Sequence, residues 1–167
     1  MQRIPFAALA VLAIALCAST AIAQSQMSDF YTAEVHKVIY PSPSVAHPEI
    51  RRAIATATRQ HKNILLDFGG NWCGDCKVLD YYFNEYPNAG LLAHNFILVD
   101  INIGQYNANL DLARKYGIPI HKGVPALAVL NSHGRLLYSQ TGGQFEKMSR
   151  VSPASVTAFL NKWKPSR

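Results

Sequence analysis

Two short apolar runs constrain the fold of this chain more than any other feature. They are NILLDFG at residues 63–69, closed by Gly69 and Gly70, and FILVDIN at residues 96–102. Apolar runs of this length, bounded by turn residues, are typical of strands buried inside a sheet. Segments with apolar residues at helical spacing stand before, between and after the two runs, and this alternation predicts an α/β fold.

The predicted elements follow the order helix, strand, helix, strand, helix, strand, strand, helix. The last helix has the clearest start signal, since Ser152 can cap it and Pro153 suits its first position. The alternation, followed by a strand pair with a tight turn, predicts a mixed central sheet with helices on both faces. The predicted ranges are 47–61, 63–69, 74–86, 96–102, 107–117, 125–131, 135–140 and 153–163.

The N-terminal residues predict export of the protein. An apolar run at residues 4–17 is followed by Ala21-Ile22-Ala23, a small-x-small cleavage site, so residues 1–23 are interpreted as a signal peptide that is cleaved after Ala23. The alternative is an uncleaved anchor helix, for which the run is short. We therefore expect a periplasmic or secreted protein.

The remaining chain is predicted to form one domain. Residues 24–46, which are punctuated by prolines, predict an extended lead-in that packs loosely over a domain at residues 47–167. The net charge of the full sequence is +6, but the basic residues are scattered and are not interleaved with aromatic ones. This pattern argues against nucleic-acid binding. No segment is typical of a dimer interface, so we expect a monomer.

Cys73 and Cys76 are the only cysteines that would remain after signal-peptide cleavage. A disulfide between them closes a very small loop and would stabilise the fold little, which favours a reactive pair. Cys73 lies at a predicted helix start, where the helix dipole favours a thiolate, and Cys76, one turn further in, is suited to resolve a mixed disulfide. The carboxylate of Asp75 opposes thiolate formation, so the direction of the net pKa shift stays open.

Residues 64–77, ILLDFGGNWCGDCK, resemble the active-site segment of the thioredoxin family, whose pattern ends in Trp-Cys-Gly-x-Cys-Lys. Residues 116–130, YGIPIHKGVPALAVL, are similar to the family's loop in which a cis-proline precedes a strand. Residues 132–143, SHGRLLYSQTGG, resemble its hairpin and following glycine. The resemblance covers roughly residues 45–165 and implies a thioredoxin-like fold with an added N-terminal part.

The resemblance also implies roles for individual residues. Cys73 would attack a substrate disulfide, Cys76 would resolve the mixed disulfide, and Asp67 would be the buried proton acceptor of Cys76. The backbone of Val124, before a cis-Pro125, would pair with the substrate chain. The implied site is catalytic at Cys73, Cys76 and Asp67 and substrate-binding at Trp72, Val124 and Pro125.

Three positions depart from the family pattern or compete with it. Residues 96–102 contain no lysine to pair with Asp67, so burial should raise the pKa of this carboxyl. Gly69 stands where the family has an aromatic residue, and we expect it to open the surface beside Trp72. Pro119 competes with Pro125 for the cis position, and we expect it to be an ordinary trans proline.

The sequence therefore predicts a thiol-disulfide oxidoreductase acting on exported proteins, without a cofactor. The active-site context favours a reductase, which would need a membrane-bound electron donor because the periplasm is oxidising. A disulfide oxidase or isomerase is an alternative. A second alternative is a protein that handles Cu(I) or Zn(II) through the cysteine pair, with His121 as a third ligand. A third is an inert binding module in which both cysteines are dispensable.

Overall fold

The structure, a computed structural model, describes residues 38–166. The predicted signal peptide and most of the predicted lead-in lie outside these residues. Each predicted helix and strand has a counterpart. The helices are α1 (Ala46–Gln60), α2 (Gly74–Asn84), α3 (Asn88–Asn95), α4 (Leu110–Lys115) and α5 (Pro153–Trp163), and the strands are β1 (Asn63–Gly69), β2 (Phe96–Asn102), β3 (Ala126–Leu130) and β4 (Leu136–Ser139).

The four strands form one mixed sheet in the order β2-β1-β3-β4. Strand β1 runs parallel to β2, with Gly69 opposite Asn102, and antiparallel to β3, with Phe68 opposite Ala126. Strand β3 pairs antiparallel with β4. The carboxyl ends of β1 and β2 therefore meet the start of β3 at one edge of the sheet.

Apolar side chains cover both faces of the sheet because residues alternate between the faces along a strand. On one face Ile64 and Leu66 of β1 belong to the core formed with α1 and α4. On the other face Leu65 belongs to the core formed with α2 and α5. The predicted fold class, a mixed central sheet with helices on both faces, is confirmed.

Helix α5 begins as its sequence predicts. Pro153 occupies the first turn, and the Ser152 hydroxyl oxygen accepts a hydrogen bond from the Ser155 N–H at 3.1 Å. This contact satisfies one of the amide groups that a helix start leaves without a partner. Val156 and Leu160 are buried against the sheet, so α5 closes one face of the molecule.

Two helices differ from the sequence-based prediction. Helix α3 is not predicted, because its only buried residue is the polar Asn88 and the leucines that pack against the core, Leu91 and Leu92, are only partly buried. The Asn88 side chain donates to the Tyr82 carbonyl at 2.9 Å and accepts from the Thr157 hydroxyl at 2.7 Å. Helix α4 begins at Leu110 rather than near residue 107, because Asn109 has a left-handed backbone with φ 55°.

The described part of the lead-in, residues 38–46, also differs from the expectation of loose packing. The side chain of Tyr40 is only 1% exposed and belongs to the core beside α1. Residues Pro43–Val45 form a 3₁₀ turn that continues into α1 at Ala46. This segment is therefore an integral part of the fold.

Across residues 38–166, none of the helices combines the length and the apolar character that crossing a lipid bilayer requires.

Candidate active site

Cys73 and Cys76 form a disulfide at the start of α2, directly after the loop that follows β1. Cys73 is the N-cap of this helix, and its Sγ accepts a hydrogen bond from the Cys76 backbone N–H at 3.1 Å. Cys73 is 5% exposed and Cys76 is 0% exposed, so Cys73 is the more accessible residue of the pair. The pair lies where the sequence places it.

The start of α2 is suited to a thiolate on Cys73. A backbone N–H that donates to Sγ and the positive end of the helix dipole both stabilise an anion there. Asp75, the acidic residue of the first turn, accepts a hydrogen bond on Oδ1 from the Met148 N–H at 3.0 Å. Its carboxylate thus fastens the helix start to the segment before α5.

The loop before β3 lies against the sulfur of Cys73. Cys73 Sγ is 3.5 Å from the carbonyl oxygen of Val124. The Val124–Pro125 peptide bond is cis, whereas the bond before Pro119 is trans. Gln140, a buried residue that sequence reasoning missed, fixes this loop: its side chain donates to the Pro125 carbonyl at 3.3 Å and accepts from the Leu127 N–H at 3.1 Å. Val124 and Pro125 therefore lie beside the cysteine pair.

Trp72 provides an exposed aromatic surface next to the pair. Its side chain is 43% exposed, and its indole N–H donates to the Gly104 carbonyl at 2.6 Å. Its ring packs against Tyr106, with the ring centroids 5.2 Å apart. Sequence reasoning missed Tyr106. Because β1 and β2 end side by side, the residues after Asn102 lie beside the loop that carries the cysteines. The position of Tyr106 just after the second predicted strand is therefore the sequence signal that could have identified it.

Asp67 is buried on β1, with 1% of its surface exposed. Burial raises the pKa of Asp67 well above its ordinary value of 3.8, and the charge of Asp100 on β2 acts in the same direction. The Tyr40 hydroxyl donates a hydrogen bond to Asp67 Oδ2 at 2.8 Å, which favours the charged form and lowers the pKa. The raised pKa agrees with the sequence-based expectation, whereas the contact with Tyr40 was not foreseen.

Gly69 does not open the surface beside Trp72, which corrects the sequence-based expectation. The space that a side chain at Gly69 would need is filled by the ring of Tyr40. A Cβ at this position would overlap the Tyr40 hydroxyl and would lie 2.8 Å from Cys76 Sγ. The glycine therefore leaves the space that lets the Tyr40 hydroxyl reach Asp67 in the interior.

Three asparagines, which sequence reasoning missed, hold the segment around Tyr40 in place. Asn71, in the active-site loop, accepts from the N–H groups of Ile39 and Tyr40 at 2.9 and 3.0 Å and donates to the Tyr40 carbonyl at 2.8 Å. Asn102 donates to the Pro41 carbonyl at 2.8 Å, and Asn109 donates to the Pro43 carbonyl at 3.0 Å. The lead-in is thus tied to the loop that carries the cysteines.

Within the described part of the chain, no group of three or more His, Cys, Asp or Glu side chains is placed to hold a metal ion. His121, the expected third ligand, lies in the 3₁₀ turn Ile120–Lys122 and lines a surface cleft together with Tyr106. It forms no such group with the two cysteines.

Comparison with known proteins places the chain in a family. A sequence model described as thioredoxin-like matches residues 45–132. The chain is 30% identical over 100 residues to the thioredoxin of Buchnera aphidicola, covering 60% of this chain and 77% of that protein. It is 32% identical over 87 residues to the chloroplastic F-type thioredoxin of Mesembryanthemum crystallinum, covering 52% of this chain but only 41% of that protein.

A solved structure agrees with these sequence matches. It is described as a disulphide isomerase from Xylella fastidiosa Temecula1, is 35% identical, and superposes with a TM-score of 0.71 over 76% of this chain and 97% of that chain. With the Cys-x-x-Cys pair at the start of α2 and the mixed sheet behind it, the comparisons show that this chain belongs to the thioredoxin-like family and carries the type of cysteine pair found in thiol-disulfide oxidoreductases.

Proposed function

We propose that this protein is a thiol-disulfide oxidoreductase that reduces disulfides in exported proteins. The observation that supports this most directly is the Cys73–Cys76 disulfide, in which Cys73 lies at a helix start and is slightly exposed while Cys76 is fully buried. Tyr40, whose hydroxyl binds the buried Asp67, lies with Cys76 Sγ around the same glycine, Gly69. A reachable thiolate and a buried resolving thiol are what a two-step exchange requires.

The proposed reaction starts from the reduced protein. The Cys73 thiolate attacks a substrate disulfide, so that a bond forms between Cys73 and one substrate sulfur while the other leaves as a thiolate. Cys76 then gives its proton to Asp67 and attacks Cys73 Sγ. The Cys73–Cys76 bond forms, the bond to the substrate breaks, and the substrate has gained two electrons.

The substrate docks, in this proposal, across the exposed ring of Trp72 and the loop before β3. An extended chain beside Cys73 would pair with the backbone of Val124, next to the cis-Pro125 bond. Tyr106, whose ring packs against Trp72, extends the aromatic surface. Residues flanking a substrate cysteine would therefore contact the apolar ring of Trp72 on one side and the hydrogen-bonding backbone of Val124 on the other.

Each turnover leaves the protein oxidised, so a reductase needs a source of electrons. An exported reductase works in an oxidising compartment, where a dithiol is not restored by its surroundings. We propose a membrane-bound electron donor, which rests on the predicted export of the chain.

Isomerisation is the second candidate, because the structural neighbour with 35% identity is described as a disulphide isomerase. In isomerisation Cys73 attacks, and a thiol of the substrate itself breaks the mixed disulfide. The two candidates therefore differ in their need for Cys76.

Serine variants of the two cysteines test both assignments. We expect Cys73→Ser to abolish dithiothreitol-dependent insulin reduction, because the attacking sulfur is lost. We expect Cys76→Ser to lose turnover and to accumulate mixed disulfides with insulin, which mass spectrometry detects. Equal residual activity in both variants contradicts the assigned roles.

Refolding of scrambled ribonuclease separates the candidates. For a reductase, Cys76→Ser loses nearly all activity in this assay as well. Activity that Cys76→Ser retains and Cys73→Ser lacks would instead support the isomerase.

A further inference from the structure

Tyr40 comes from the segment that precedes the family match at residues 45–132, yet it reaches the centre of the proposed site. Its side chain is 1% exposed, and its hydroxyl donates to Asp67 Oδ2 at 2.8 Å. The other carboxylate oxygen, Oδ1, is buried and accepts no hydrogen bond from residues 38–166. One oxygen of Asp67 is therefore fixed, and the other has its lone pairs available.

Two residues fix the position of Tyr40, one through its backbone and one through the space left for its side chain. Asn71 holds its backbone through hydrogen bonds to its N–H and carbonyl. Gly69 leaves the space in which its hydroxyl lies, and a Cβ there would also be 2.8 Å from Cys76 Sγ. The phenol oxygen and the Cys76 sulfur are consequently close neighbours.

We propose that Tyr40 is a positioning residue for Asp67: its hydroxyl holds Oδ2 so that Oδ1 takes the proton of Cys76, and it thereby sets the pH range in which Cys76 releases substrate. This inference rests on the proposed function. In the step concerned, the Cys76 S–H bond breaks and an O–H bond forms on Asp67. The resulting thiolate attacks Cys73 Sγ, so that the Cys73–Cys76 bond forms, the bond between Cys73 and the substrate breaks, and the substrate sulfur leaves as a thiolate.

The groups around Asp67 explain why a donor is needed there. Asp100 on β2 and Asp80 on α2 both raise the pKa of Asp67 through their negative charge, as does burial. On β3 its partner is the apolar Leu127, which offers no charge. The Tyr40 hydrogen bond opposes these effects because it stabilises the carboxylate, the form that can accept a proton.

The test is Tyr40→Phe, which keeps the ring and removes the hydroxyl. The pKa of Asp67 is measured in the reduced full chain from the pH dependence of its ¹³C carboxyl shift. We expect a rise of about one pH unit, as for the loss of one hydrogen bond to a carboxylate. At a pH below the pKa of Asp67 we expect substrate release from the mixed disulfide to slow about tenfold, with the Cys73 attack rate unchanged.

Tyr86→Phe is the matched control, because Tyr86 is 95% exposed, and it should leave both measurements unchanged. Gly69→Ala is a second route to the same effect, because its Cβ would displace the Tyr40 hydroxyl while the residue is retained. The same Asp67 pKa in the wild type and in both Tyr40→Phe and Gly69→Ala overturns the inference. Since the carboxyl titration needs no turnover, the two failures are distinguishable: an unchanged Asp67 pKa overturns the role of Tyr40, whereas a wild-type protein that does not exchange disulfides overturns the proposed function.

Discussion

Asp67 couples the stability of this protein to pH because it is ionisable and almost without contact with water. Its folded pKa lies above its ordinary value of 3.8, so the folded state binds this proton more tightly than the unfolded state. The stability that Asp67 contributes is complete when the pH is below the pKa that this carboxyl has in the unfolded chain. It is lost as the pH rises through the folded pKa.

Asp67→Asn should therefore stabilise the reduced protein at about pH 8, with a gain in Tm that narrows toward about pH 4. Asparagine keeps an oxygen that can accept the Tyr40 hydrogen bond but carries no charge to bury. Thermal unfolding across this pH range measures the difference in Tm between Asp67→Asn and the wild type. The control is Glu85→Gln, which replaces an exposed carboxyl and whose effect on Tm should depend far less on pH. A Tm difference that does not change with pH would contradict the claim that Asp67 couples stability to pH.

At the scale of individual residues, the sequence predicted the cysteine pair, the buried acid and the loop at Val124 and Pro125, since each lies in a recognisable local pattern. It did not predict Tyr40, because no local spacing connects residue 40 with its partner Asp67. The one local sign was Gly69, a glycine at a position where a side chain would be expected. Its meaning depends on a distant residue that fills the space.

Among the elements, the lead-in is the one whose packing differs most from the sequence-based prediction. Asn71 makes three hydrogen bonds with the backbone of Ile39 and Tyr40. Such bonds to backbone groups replace the strand or helix pairing that this extended segment lacks. The active-site loop and the lead-in therefore stabilise one another.

Asn71→Ala should detach this segment. We expect faster hydrogen exchange of the Ile39 and Tyr40 amides and a loss of about 2 kcal/mol in unfolding free energy, as for several hydrogen bonds of modest net value. Asn161→Ala is the control, because this exposed side chain makes only local contacts: it donates to the Thr157 carbonyl at 3.1 Å and accepts from Lys164 Nζ at 3.1 Å. Unchanged exchange at Ile39 and Tyr40 would show that other contacts hold the lead-in.

The elements themselves were predictable where an apolar pattern marks them. Strands β1 and β2 coincide with the predicted ranges, because both are short apolar runs with clear boundaries. Helix α3 was missed, because it is short, its only buried residue is the polar Asn88, and its apolar contacts are limited to the partly buried Leu91 and Leu92. Two neighbouring leucines in an eight-residue helix do not form the repeating apolar stripe by which sequence periodicity identifies a helix.

At the scale of the whole molecule, the strand order brings three separate parts of the chain to one sheet edge. The loop after β1 carries the cysteines, the loop after β2 carries Tyr106, and the loop before β3 carries Val124 and Pro125. The alternation of elements predicted this mixed sheet. The contribution of the lead-in to the same edge came only from the structure.

The most direct test of the account is an equilibrium redox titration of the chain against glutathione or dithiothreitol, with the thiols counted by alkylation and mass. We predict a reversible two-electron transition of Cys73 and Cys76 at about −270 mV, the potential of thioredoxin. A transition at about −120 mV, typical of strong periplasmic oxidants, would contradict the reductase direction. The absence of any reversible transition would contradict the proposal that the protein exchanges disulfides.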